Sequence, residues 1–221
     1  MPRLARRAGC RHGTADHDPS ASWRRIDAWL TAHAPAEASL LNPPATRDDL
    51  QEAERLLGVT LPDGLVESLR CHDGASTWVS FLPEQSPLTV VGIVERRRTR
   101  MDVAAENDGL APRPWDDEPW WHPLWIPWAE GADGGSQVID LRPGPDTGRL
   151  GWAGHSGGGD FTDSWPDLPS LLHAVAHALT EGGGVRELYP YFTARGELWW
   201  DEEGCEQLNG DPLTPAPVGF P

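Results

Sequence analysis

The chain contains no lysine: all 18 of its basic residues are arginine. Chemistry that needs a lysine amine, such as Schiff-base formation, therefore has no candidate residue, and GC-rich coding accounts for the bias. Cysteine is almost as scarce. Cys10, Cys71 and Cys205 are isolated, odd in number and without CxxC spacing, so neither a disulfide framework nor a cysteine zinc site is expected, and a reducing cytoplasm fits best. No apolar run approaches the roughly 18 residues of a membrane span, and no apolar stretch follows the basic start of the N-terminus. Export and membrane insertion are not expected. Positive charge is in deficit too, with 34 acidic against 18 basic side chains and a formal charge of −16. Such a field repels phosphate backbones and anionic lipid and attracts basic partners, which argues against direct nucleic-acid or membrane binding.

What is present describes one domain. The 221 residues suffice for one well-cored body, and 12 Trp supply the bulk for it, while 24 Gly and 22 Pro imply long connections. Residues 1–21 lack periodicity and read as a disordered extension. Ser22 is a candidate N-cap for a helix carrying Trp23, Ile26, Trp29 and Leu30 on one stripe until Pro35. Thr46 to Asp49 resembles a capping box, followed by Leu50, Ala53, Leu56 and Leu57 and closed by Gly58. Pro62 opens a third helix with Leu65, Val66 and Leu69 inward, ending at Asp73-Gly74. Strand-like runs follow at 77–82, 88–94, 124–129, 136–141 and 149–153, separated by Gly, Pro and Asp turns. Leu168, Leu171, Leu172, Val175, Ala176 and Leu179 form an amphipathic helix that stops at Gly182. Beyond it, 183–205 reads as a hairpin around Arg195-Gly196, and 206–221 as a flexible tail. No internal repeat is visible.

The order of these signals resembles a known family. Leu57-Gly58-Val59-Thr60-Leu61-Pro62, an apolar helix and His72-Asp73-Gly74, then Trp125-Ile126-Pro127, Gly134-Gly135, Val138 to Leu141 with Pro143-Gly144, and the Trp165 to Leu172 segment, are similar to SMI1/KNR4 (SUKH) proteins. The resemblance covers roughly 22–182. It implies an α+β fold: a single domain with a central, mostly antiparallel sheet, N-terminal helices and one long amphipathic helix near the C-terminus. It also implies use in protein recognition, in bacteria chiefly as immunity proteins against polymorphic toxins and in fungi as a cell-wall signalling regulator. Two departures stand out: Ser136 follows the Gly pair where Asn or Asp is common, and residues 154–159 are unusually Gly-rich.

Four constellations invite chemistry. Gly154-His155-Ser156-Gly157-Gly158 matches the GxSxG nucleophile elbow, with Asp160, Asp163, His173 and His177 as nearby partners; without the strand–helix context of a hydrolase it reads as a glycine loop. His173 and His177 share a helix face at i,i+4 but lack a HExxH glutamate, so they read as packing or solvent-facing side chains rather than metal ligands. Arg96, Arg97, Arg98 and Arg100 form either a solvated helix face or an internal salt-bridge surface.

The fourth is the segment 101–141, which sets nine acids against Arg113 alone and carries Trp115, Trp120, Trp121, Trp125 and Trp128. Rigid aromatic area inside a negative field suits a binder of a basic surface. Trp125 and Trp128 read equally as core strand residues. Trp115, Trp120 and Trp121, in a Pro-rich acidic loop, read as exposed. The expected contact residues are therefore Trp115, Asp116, Asp117, Glu118, Trp120 and Trp121, with no catalytic residue, cofactor or metal. Three functions compete: an immunity protein that occludes a basic toxin domain, a regulatory scaffold of cell-wall or signalling type, and a serine esterase acting through Ser156.

Overall fold

The computed structural model describes residues 17–162 and 164–219. Helix α1 (Pro19–His33) starts earlier than Ser22, because the Asp18 carboxylate accepts the Ser20 N–H and caps it. It buries Trp23, Ile26, Trp29 and Leu30, the expected stripe. A single turn, α2 (Pro35–Ala38), follows. In α3 (Arg47–Leu57) Thr46 and Asp49 form the reciprocal capping box, and Gly58 ends the helix at φ 69°. Pro62 precedes α4 (Asp63–Leu69), which stops short of Asp73-Gly74.

The next two expected strands are absent. Residues 77–82 run irregularly, although Val79, Phe81 and Leu82 are buried; the Val79 N–H is satisfied by the Ser86 hydroxyl at 3.2 Å. Strand β1 (Gln85–Pro87) forms instead, from residues with no apolar alternation. The run 88–94 opens a helix, α5 (Val90–Glu106). Thr89 accepts the Gly92 N–H at 2.9 Å and Asp73 accepts the Val90 N–H at 2.6 Å. Two donors left open in the first turn are thus satisfied, and that outweighs the strand preference of Val90, Val91 and Ile93.

Strands β2 (Trp125–Gly131), β3 (Ser136–Asp140) and β4 (Leu150–Ala153) complete an antiparallel sheet in the order β1-β2-β3-β4. Both faces are occupied. Ile126, Trp128, Ile139 and Leu150 enter the main core with α1, α3, α4 and α6 (Leu168–Glu181). A bulge between Pro127 and Ala129 leaves Trp128 and Ala129 both on that side. Trp125, Val138 and Ala153 turn the other way and join Ala104 of α5 and Trp121 in a second, smaller core.

The chain closes with β5 (Leu188–Phe192) and β6 (Leu198–Glu202), the expected hairpin, then the short β7 (Gln207–Leu208), β8 (Asp211–Pro212) and β9 (Thr214–Pro215). Residues 206–219 are not the flexible tail that composition suggested. β9 pairs with β5, the indole of Trp29 donates to the Pro217 carbonyl at 3.0 Å, and His33 bonds the Gly219 carbonyl at 3.0 Å. Most of the N-terminal stretch 1–21 lies outside the described residues; Pro19, Ser20 and Ala21 are already helical.

Candidate functional site

The acidic, Trp-bearing loop between α5 and β2 is a cover for the second face of the sheet. Trp121 is 0% exposed, not exposed as its loop context implied. It meets Trp125 edge-on, with centroids 6.0 Å apart and planes at 77°, because the outer face of β2 offers an apolar floor that no local pattern reveals. Trp120 is half-buried; its indole donates to the His155 carbonyl at 3.1 Å. Trp125 and Trp128 are both core residues.

Glu118 is likewise not a free surface carboxylate. It takes a two-bond contact from the Arg142 guanidinium, at 2.6 and 2.9 Å, and lies 3.6 Å from Arg149. The same two arginines hold Asp140, which is nearly fully buried, at 2.7 and 3.3 Å. Asp140 stands opposite Trp125 in the β2–β3 register, and Arg142 and Arg149 lie over the Phe161 ring at 5.5 and 4.2 Å. Such fork-to-carboxylate pairs fix geometry as well as charge. Burial pushes the Asp140 carboxyl up, but the Arg142 and Arg149 guanidiniums more than offset this and hold it below its ordinary 3.8. A carboxyl lower in the folded than in the unfolded chain stabilises above the unfolded value, about pH 4, and that stability is lost as pH falls through the folded value. Asp140→Asn is therefore expected to flatten the acid limb of the stability profile below about pH 4, read by urea unfolding across pH; an unchanged limb refutes the assignment.

The glycine run is part of the same construction. The Gly159 N–H donates to the Pro119 carbonyl at 2.9 Å, and a Cβ on Gly158 would lie 2.3 Å from the Glu118 carbonyl oxygen. The loop 154–159 and the segment 115–120 thus form one surface, with glycine required where the two backbones touch. Exposed on it are His155, Ser156 and Gly157 from the glycine run and, from the acidic segment, Trp115, at 77%, with Asp117 beside it and Asp116 partly covered.

Ser156 sits on an exposed bend after β4, with no helix following until Leu168. Among the described residues no side chain hydrogen-bonds it, and Asp163 lies outside them. Ser156→Ala is expected to leave any activity unchanged; an ester-hydrolysing activity that vanishes in the variant contradicts this. His173 stacks on His17 with centroids 4.0 Å apart, and His177 pairs with Glu181 at 3.2 Å. Among the described residues no His, Cys, Asp and Glu side chains gather in threes to hold a metal. The arginine run is mostly internal: Arg96 pairs with Glu130, Arg97 donates to the Pro123 carbonyl at 2.6 Å, Arg100 is buried, and Arg98 alone faces solvent. Sequence reasoning passed over Asp140, Arg142, Arg149 and Phe161. The i,i+2 spacing of Asp140 and Arg142 at the end of a strand was the available signal.

Helices against one face of an antiparallel sheet, with the end of α5 and a tethered loop over the other, define an α+β domain whose distinctive feature is a built surface. The SMI1 / KNR4 family (SUKH-1) matches residues 44–173, more than half of the chain, and the chain belongs to that family. A "KNR4/SMI1 homolog" of Kluyveromyces lactis is 42% identical over 60 residues, 27% of this chain and 11% of the relative. The "Glucan synthesis regulatory protein" of Neurospora crassa is 25% identical over 57% of this chain and 31% of its own length. The "Cell wall assembly regulator SMI1" of Saccharomyces cerevisiae is 38% identical over 53 residues, 24% of this chain and 10% of the relative. The chain thus spans less than a third of the length of these relatives. No described helix is long and apolar enough to cross a membrane.

Proposed function

We propose that the chain is a non-enzymatic protein-recognition module of regulatory type, acting in the cytoplasm. Its contact face is the ridge of Trp115, Asp116 and Asp117, with Trp120 at the base. The supporting observation is that Trp115, 77% exposed, projects from a loop tied down just beyond it by the Glu118–Arg142 pair and by the Gly159–Pro119 bond. A large aromatic held out rigidly costs little ordering entropy when a partner covers it. The flanking carboxylates and the −16 charge suit a partner with a basic surface. Relatives named as cell-wall assembly and glucan-synthesis regulators favour the regulatory reading over the immunity one. The acidic ridge equally fits occlusion of a basic toxin domain, and the two are separated by whether the captured protein is toxic when expressed alone.

The test is capture from the source cytoplasm by the immobilised domain, with the captured protein identified by mass spectrometry. Trp115→Ala is expected to weaken capture by about 2 kcal/mol, roughly 30-fold, with unchanged circular dichroism. Asp116→Asn with Asp117→Asn is expected to slow association mainly at low salt. Capture that survives all three substitutions places the partner elsewhere.

A further inference from the structure

Arg100 is a buried cation without an ion-pair partner, the Asp133 carboxylate acting on it only through space. It is 7% exposed, and no carboxylate among the described residues comes within ion-pair distance of it. Two of its five N–H donors are used, by the carbonyls of Gly134 and of Gly154, the latter at 3.4 Å. The rings of Trp120 and Trp121 lie 5.1 and 6.0 Å from its guanidinium carbon. A desolvated charge held by carbonyls, ring faces and a carboxylate beyond ion-pair distance is under-compensated. In a chain with 34 carboxylates this lack is unexpected.

Arg100 also lines an open groove of about 560 Å³ between α5 and the loop after it. Arg96, Arg113, Asn107, Trp120 and His155 share the lining, and no Asp or Glu does. Arg96 is already engaged by Glu130, whereas Arg113 is exposed at the rim. Three guanidiniums and no carboxylate around one concavity reverse the sign of the chain as a whole.

We infer that this groove is a binding site for an oxyanion, a carboxylate or a phosphoryl group, received by Arg100 and Arg113. Guanidinium donors match such groups in paired, charge-assisted hydrogen bonds, and a half-dry floor strengthens them. Trp120 forms one wall, so occupancy of the groove changes the surroundings of its indole. The site adjoins the Trp115 ridge but does not depend on it, and it is tested without any protein partner.

The full chain is titrated with glutarate and, separately, with inorganic phosphate, at ionic strength matched by sodium chloride. The NMR resonance of the Trp120 indole N–H is the readout. Saturable shifts in the millimolar range are expected with at least one probe; glutarate alone marks a carboxylate site, phosphate alone a phosphoryl site. Arg113→Gln is expected to weaken binding about tenfold with the fold intact, Arg100→Gln to abolish it, and Arg98→Gln, outside the groove, to leave it unchanged. Should Arg100→Gln unfold the domain, Arg113→Gln carries the test alone. Shifts that never saturate beyond the chloride control overturn the inference, as does saturation indifferent to Arg113→Gln.

Discussion

Trp121→Ala is expected to destabilise the domain by about 3–5 kcal/mol, lowering the melting temperature by roughly 6–20 °C. The ring is fully buried against Ala104, Trp125, Val138 and Ala153, a cluster too small to close over the void. Without it the loop loses its apolar anchor, and the ridge carrying Trp115 loses its rigid base. Partner capture should fall in this variant through unfolding, with near-UV circular dichroism lost in parallel. Trp121→Phe distinguishes packing from chemistry. The Trp121 indole N–H is buried without a partner, so replacing it removes an unmet donor while retaining most of the ring. Trp121→Phe is expected to recover most of the lost stability. A Trp121→Ala protein with wild-type melting temperature contradicts the second core.

The contrast between Trp115 and Trp121 shows where sequence reasoning stops. Both lie in one Pro-rich acidic loop, and nothing local separates them; what separates them is the outer face of β2 and β3, built from residues up to Ala153. Elements whose signals are local were legible. Thr46, Asp49 and Gly58 bracket α3, the leucine stripe from Leu168 to Leu179 reports α6, and Arg195-Gly196 marks the β5–β6 turn. Val90 to Val94 was misread because β-branched residues fit a strand as well as the start of a helix. The deciding groups were the Thr89 cap and Asp73, the latter 17 residues away. Asp116 and Asp117 could be placed at a surface from their composition alone. Glu118, their neighbour, could not be placed with Arg142 and Arg149, because that pairing is a product of the fold.

Removal of Leu213–Pro221 is expected to cost about 2–3 kcal/mol, a fall of roughly 4–12 °C in melting temperature, although the segment looks dispensable by composition. The deletion strips β9 from the edge of β5 and leaves the Pro190 carbonyl without the Ala216 N–H, now 2.9 Å away. It also orphans the Trp29 indole N–H. Trp29 is 0% exposed in the middle of α1, so a lost partner there carries the desolvation penalty of a buried donor. Leu213 and Ala216 add apolar area that the deletion returns to water. Trp29→Phe tests the mechanism: with the donor gone, truncation should cost less than in the wild-type background, the coupling appearing as a non-additive double-mutant cycle. Thermal unfolding of the four proteins decides it. A truncated chain as stable as the full one, or a strictly additive cycle, shows that the C-terminal strand does not brace α1.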